Sequence, residues 1–215
     1  MFIGHFALGF AAKRSAPSLS LGLLFGAAIF ADLLWPILVA AGIERVRITP
    51  GITAFTPLEF LSYPYSHSLI TLVIWGVLLA WISTRGGLAF AVVSLLVVSH
   101  WVLDVITHIP DMPLYPGGPR YGLGLWNSIP VTLSIEAALF AAAVWMYARV
   151  TRSRDRTGRW GFAGLTAFLI AAFILNATSP PPPSVTLLWI GAIVLGVVTV
   201  SLAHWMDSHR VSEQS

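Results

Sequence analysis

The chain has 215 residues, of which 57% are hydrophobic and 10% charged. That charge cannot cover a water-soluble shell, so the composition excludes an ordinary soluble domain and marks an integral membrane protein. The net charge of +3 does not argue for nucleic acid, because five of the twelve Arg and Lys residues (Arg149, Arg152, Arg154, Arg156, Arg159) share one loop beside a helix end. Anchoring at a membrane surface accounts for them.

A helix that crosses the roughly 30 Å hydrocarbon core needs about 20 mostly apolar residues. The first stretch, Met1 to Ala12, is too short. Its charges, Lys13 and Arg14, follow the apolar run where a signal peptide would place them before it. It reads as a retained interfacial or re-entrant helix. Six spans then follow, over about Leu19–Gly42, Ser66–Ser83, Gly87–Thr107, Ile129–Val150, Gly161–Thr178 and Val185–His204. The predicted fold is therefore an all-α bundle of six transmembrane helices preceded by a short helix, in a single transmembrane domain over 1–215. Residues 1–150 carry the residues with chemistry, and 151–215 add two helices and a solvated tail with His204, Asp207 and His209.

Positive residues resist translocation and stay cytoplasmic. With the arginine-rich loop inside, Lys13, Arg14, Arg85 and Arg210 fall on the same side, and Arg45, Arg47 and Arg120 lie opposite. The sequence thus predicts a multi-pass protein of the inner (plasma) membrane with both termini cytoplasmic. The loops at about Ile43–Tyr65 and Ile109–Ser128 then face outward.

Ionisable residues inside the spans cost several kcal/mol unless they pair or line a wet cavity. In the third span His100, Asp104 and His108 are spaced four apart, which puts imidazole, carboxylate and imidazole on one face over roughly 12 Å. His67 opens the second span at the same outer level, Asp32 lies in the outer half of the first, and Glu136 reaches similar depth in the fourth. His5 belongs to a segment that can pack near the same mouth. Imidazole and carboxylate are the usual ligands of zinc-type ions, and a chain without cysteine must use nitrogen and oxygen donors. The predicted metal ligands are His5, His67, His100, Asp104 and His108, for zinc or, second, manganese. Asp32 or Glu136 is the candidate general base. For any one of these histidines, packing against a neighbouring helix is the simpler reading; their convergence is what argues for function.

Gly4-His5, Ala31-Asp32-Leu33, Ser66-His67-Ser68 and the run Ser99-His100-Trp101-Val102-Leu103-Asp104-Val105-Ile106-Thr107 occur in this order. Together they resemble the bacterial membrane-bound metal-dependent hydrolase family over about the first 110 residues. The chain departs from that family at Leu34, where many relatives carry a second acid, and at Ser62-Tyr63, where they carry a His-Arg pair. A single metal is the expectation that follows. The resemblance implies hydrolysis by a metal-activated water, and the orientation above puts the site near the outer bilayer face. A lipid or lipid-linked substrate would enter from the membrane, and Arg45, Arg47 and Arg120 would hold its phosphate or anchor to headgroups. Membrane lipids are thus the expected partners, and nucleic acid is not. A metal-ion or proton transporter would use the same stripe but would need polar residues in the inner halves of the spans, which read as Ala, Val, Leu, Ile and Gly. A non-catalytic scaffold would use the stripe to fix packing.

Overall fold

A computed structural model describes residues 1–213 of the chain. Four of its helices are long and apolar enough to cross a bilayer: α6 (Gly87–Thr107), α7 (Ile129–Val150), α8 (Arg156–Thr178) and α9 (Val185–Ser208). Their starts have local causes. Pro130 sits in the first turn of α7, where its missing N–H costs nothing. Asp155 accepts from the Gly158 N–H at 2.8 Å to begin α8, and the Ser184 hydroxyl accepts from the Leu187 N–H at 3.2 Å to begin α9.

The first predicted span is not one continuous helix. It forms α2 (Leu21–Ala28) and α3 (Phe30–Ala40), bent by 57° at Ile29. Counted as one crossing, this pair raises the number of candidate spans to five. The second predicted span is interrupted as well. A single turn, α4 (Pro64–His67), is followed at extended Ser68 by α5 (Leu69–Ser83), whose 15 residues reach only about 22 Å. Breaks of this kind are tolerated in a membrane protein where the freed backbone is buried in protein or lines a cavity. Both breaks here lie beside the polar cluster described below.

The N-terminal helix α1 (Ile3–Ala12) is buried within the bundle and does not lie on its surface. Ile3, His5, Phe6, Ala7 and Phe10 are all buried, and α1 packs among α2, α6, α7 and α8. Phe10 meets Phe25 edge-on at 4.8 Å and Tyr147 at 5.1 Å. Such aromatic pairs contribute about 0.5–1.5 kcal/mol each beyond burial, which suits a lipid-embedded bundle held by dispersion and close packing. The last helices are equally integrated, since α9 runs against both halves of the broken α2–α3 pair.

The two long loops fold into a roof over one end of the bundle. In the first, β1 (Arg45–Ile48) and β2 (Leu58–Ser62) form an antiparallel hairpin. In the second, β3 (Met112–Pro113) pairs with β4 (Arg120–Tyr121). Trp35, Val46, Tyr63 and Met112 make a small core beneath them. Gly122 passes so close to the carbonyls of His108 and Ile109 that a Cβ has no room there. At the opposite end β5 (Thr151–Ser153) and β6 (Arg210–Ser212) tie α7 and α9 together.

Candidate metal centre

Beneath the roof, side chains from α1, α3, α4 and α6 meet. The Nε2 atom of His100 lies 3.2 Å from Asp104 Oδ2 and 3.7 Å from Asp32 Oδ1. His67 Nε2 lies 3.7 Å from Asp32 Oδ1 and 3.9 Å from Asp104 Oδ2, and His108 Nε2 lies 3.7 Å from Asp104 Oδ2. Ligand atoms of His67, His100 and Asp104 all fall within 4.8 Å of one another, as do those of His5, Asp32 and His100. His5, His67, His100, Asp104 and His108 are all buried, whereas the Asp32 side chain is 47% exposed and forms the open side of the cluster.

The Nε2 atoms of His67, His100 and His108 face the two carboxylates at 3.2–3.9 Å. His100 Nε2 is buried and has no hydrogen-bond partner, despite its nearness to two carboxylates. Four ligands at about 2.0–2.1 Å from a tetrahedral ion stand roughly 3.3 Å apart, and the separations here bracket that value from just below to moderately above.

On His67, His100 and His108 the opposite ring nitrogen is occupied. His100 Nδ1 bonds the Ala28 carbonyl at 2.9 Å, at the point where the α2–α3 break takes that carbonyl out of the helical ladder. His67 Nδ1 bonds Ser66 Oγ at 2.7 Å, and Ser66 Oγ in turn donates to Glu44 Oε2 at 2.6 Å. Glu44, itself buried, also accepts from the backbone N–H groups of Tyr65 and Ser66 through Oε1. His108 Nδ1 bonds Asp111 Oδ1 at 3.0 Å, and the Tyr63 hydroxyl donates to the same oxygen at 2.8 Å. Burial and the Asp111 carboxylate raise the Tyr63 phenol well above its usual range, so it remains a donor. A metal-binding histidine is held in this way, with its distal N–H given to a carbonyl or carboxylate and its lone pair aimed inward.

Glu44, Ser66, Asp111 and Tyr63 were absent from the sequence-based site. Ser66 lies within the Ser-His-Ser motif, and Asp111 is three residues beyond His108; both spacings could have suggested a partner. Glu44 is 22 positions from Ser66 in a loop, and no local pattern connects them.

His108 does not extend the helical stripe. Helix α6 ends at Thr107, and His108 has extended backbone (φ −68°, ψ 152°). Its N–H still bonds the Asp104 carbonyl at 2.8 Å, and its ring turns back toward the cluster under Trp126, 4.2 Å away between centroids. His5 stacks on His100 at 3.8 Å and places Nε2 3.0 Å from Asp104 Oδ1, the oxygen that also accepts from the Met1 amino group. Glu136 comes to the same end but does another job: its Oε2 accepts from the Phe2 and Gly4 N–H groups at 2.8 and 3.1 Å, which fixes the first turn of α1 and with it His5.

The three arginines stand apart. Arg47 makes a two-pronged ion pair with Glu59 across the hairpin, both bonds at 2.9 Å. The Thr49 hydroxyl and Arg47 hold the Glu59 carboxyl below its usual range. Arg120 donates to the Leu61 carbonyl at 3.2 Å, and Arg45 is exposed on β1. Among the described residues none of the three bonds to a cluster side chain.

The tail reading also changes. Asp207 is buried, accepting from Lys13 Nζ at 2.7 Å, the Leu21 N–H at 2.9 Å and the Tyr147 hydroxyl at 2.6 Å. It joins α1, α2, α7 and α9 at the end of the bundle opposite the histidines. His209 pairs with Asp155 at 2.7 Å, and His204 is exposed.

Comparison of the chain with protein-family models, with curated proteins and with solved structures found no match. The composition and the four to five apolar spans define a helical membrane protein.

Proposed function

We propose that this protein is a membrane-bound metal-dependent hydrolase, and that one divalent ion, zinc or else manganese, occupies the space between His67, His100, His108 and Asp104. The observation that carries the reading is the set of inward-facing Nε2 atoms, each with its Nδ1 already bonded on the outside. A buried histidine calls for a partner at each nitrogen, and His100 Nε2, at the middle of the set, has none.

A bound ion of this kind supplies Lewis acidity, making a water more acidic and polarising the scissile group. Asp32, half-exposed at the open side, is the residue placed to accept the proton of an attacking water. His5 bonds Asp104 Oδ1, leaving Oδ2 to face His67, His100 and His108, and holds the carboxylate in place. Phe60, Tyr63 and Trp126 cover His108 and exclude bulk water from that side. Substrate reaches Asp32 along the membrane, which favours a lipid or lipid-linked ester or phosphoester.

In this reading α4 and α5 together make a sixth crossing, because Pro64–Ser83 spans about 20 residues where α5 alone is short. The basic end carrying Arg149, Arg152, Arg154, Arg156 and Arg159 is cytoplasmic in the inner membrane, and the roofed end is outside. Transport is disfavoured by the layer of Phe6, Phe10, Phe25 and Phe140, all buried, between the histidines and Lys13.

Elemental analysis of detergent-purified protein tests the reading. About one ion per chain is expected in wild type, with loss in both His100→Ala and Asp104→Ala and unchanged elution by size exclusion. Folded wild type that carries no metal and takes none up from solution sinks the proposal. Metal with no hydrolysis of any phospholipid ester or phosphoester would keep the centre and remove the activity.

A further inference from the structure

At the end of the bundle opposite the histidines, a polar pocket of about 310 Å³ opens beside a groove of about 630 Å³, and the two share Ser20 and His204. The pocket is lined by three cations, Lys13, Arg154 and Arg210, against one carboxylate, Asp207. Lys13 is neutralised by Asp207, and Arg210 donates to Thr151, Ser153 and Gly158. The Arg154 guanidinium and the His204 ring are exposed and have no hydrogen-bond or ion-pair partner among the described residues.

The groove is apolar, walled by Leu23, Phe30 and Leu33 on α2–α3, Leu79 on α5 and Val200 on α9. Gly26 forms its floor; a Cβ there meets only Val200, at 3.9 Å. From Ser20 to Phe30 the chain rises about 15 Å, the depth of one leaflet of a hydrocarbon core about 30 Å thick. The surrounding surface belongs at headgroup level. Trp145, Trp160 and Trp205 are 50–70% exposed there, with Arg149 over the Trp145 ring and Arg152, Arg156 and Arg159 nearby in sequence.

We infer that this pocket and groove form a binding site for one anionic phospholipid, its phosphate on Arg154 and His204 and one acyl chain along Gly26 toward Leu33. The charge pattern selects the lipid: a zwitterionic headgroup would bring a cation to a pocket already rich in them, whereas a phosphate diester of net negative charge complements it. The groove supplies the second requirement, since the shared Ser20 and His204 make headgroup and chain positions continuous. The site lies about 16 Å below the histidine cluster, taken along α7 from Glu136 to Tyr147, and does not depend on a metal being bound there.

Native mass spectrometry of the full chain, released from detergent doped with dioleoylphosphatidylglycerol or dioleoylphosphatidylcholine, tests this. Wild type is expected to retain one phosphatidylglycerol per chain in preference to phosphatidylcholine. Arg154→Ala should weaken phosphatidylglycerol retention about fivefold, the equivalent of the roughly 1 kcal/mol that one basic residue contributes at a charged membrane surface, and leave phosphatidylcholine alone. Gly26→Phe, which fills the groove, should weaken both lipids. Arg154 is exposed and holds no other side chain, so its variant keeps the test valid should Gly26→Phe fail to fold. Equal retention of the two lipids by wild type, or wild-type retention by Arg154→Ala, overturns the inference. So does displacement of phosphatidylglycerol by inorganic phosphate alone, because the groove would then contribute nothing.

Discussion

At its first turn α1 carries His5 into a cluster whose ring nitrogens converge on two carboxylates, and just past its last turn it delivers Lys13 to a carboxylate that is fully engaged. Both clusters are buried, and both join four helices. The difference lies in the count of partners. Asp207 accepts three hydrogen bonds from Lys13, Leu21 and Tyr147. At the other end His100 Nε2 has none, although carboxylates lie close by. A satisfied buried network specifies packing, whereas a buried group without a partner calls for another explanation. Burial alone would have ranked the two alike.

Removing one member of each cluster should therefore break the molecule in different ways. Asp104→Ala is expected to abolish metal uptake and leave the helices assembled. Lys13→Met leaves the Asp207 charge buried and unpaired, and should cost about 3–5 kcal/mol, read as a lowered unfolding midpoint in detergent with metal content unchanged. The paired change Lys13→Met with Asp207→Leu should recover most of that loss, because the uncompensated charge is gone. If Lys13→Met instead stripped the metal at full stability, the two ends would not be independent and the contrast would collapse.

A smaller effect sharpens the same contrast from the outside of the histidine cluster. Asp111→Asn keeps the shape but weakens the acceptor that orients His108, and Glu44→Gln does the same to Ser66 and His67. Each should lower metal affinity about 10–100-fold, measured by competition with a chromophoric chelator. The unfolding midpoint of the metal-free protein should move little by comparison. Equal metal affinity in both variants would mean that the outward bonds of the rings are incidental.

The sequence carried the inner ring of this site and not its support. His100 and Asp104 lie one helical turn apart, so their shared face was legible from spacing alone. The apolar lengths of α6 to α9 likewise announced themselves. The breaks at Ile29 and Ser68 did not, because each runs through apolar residues that read as continuous helix, and the reasons lie in neighbours: the Ala28 carbonyl serves His100, and the turn before Ser68 aims His67. Glu44 was hidden for a related reason. A lone acid beside Arg45 in a loop looks like solvated surface until the fold brings Ser66 onto it. Asp207 was misread in the same way, since a terminal acid among polar residues gives no sign that Lys13, 194 positions away, is its partner. Long-range pairing of polar groups has no period in the sequence, and periodicity is what a single sequence offers.

The smallest effect concerns the start of α8, where exposed charges copy on the surface what Asp207 does in the interior. The Asp155 carboxyl is held below its usual range, first by the bond from the Gly158 N–H and then by the His209 ring. A carboxylate so depressed adds stability at pH values above its unfolded value of about 3.9, and that stability is lost as pH falls through the folded value. The Gly158 amide proton, bonded to Asp155 Oδ1, should report this by NMR in detergent, with a titration midpoint below about 3.9. In His209→Ala the midpoint should rise toward the ordinary value, and in Asp155→Asn, which can still cap the helix, the titration should vanish while α8 stays formed. Because the two side chains are about a third and a half exposed, neither change should shift the unfolding midpoint as Lys13→Met does. A midpoint at or above the ordinary value would show that the surface cap at the start of α8 is not engaged.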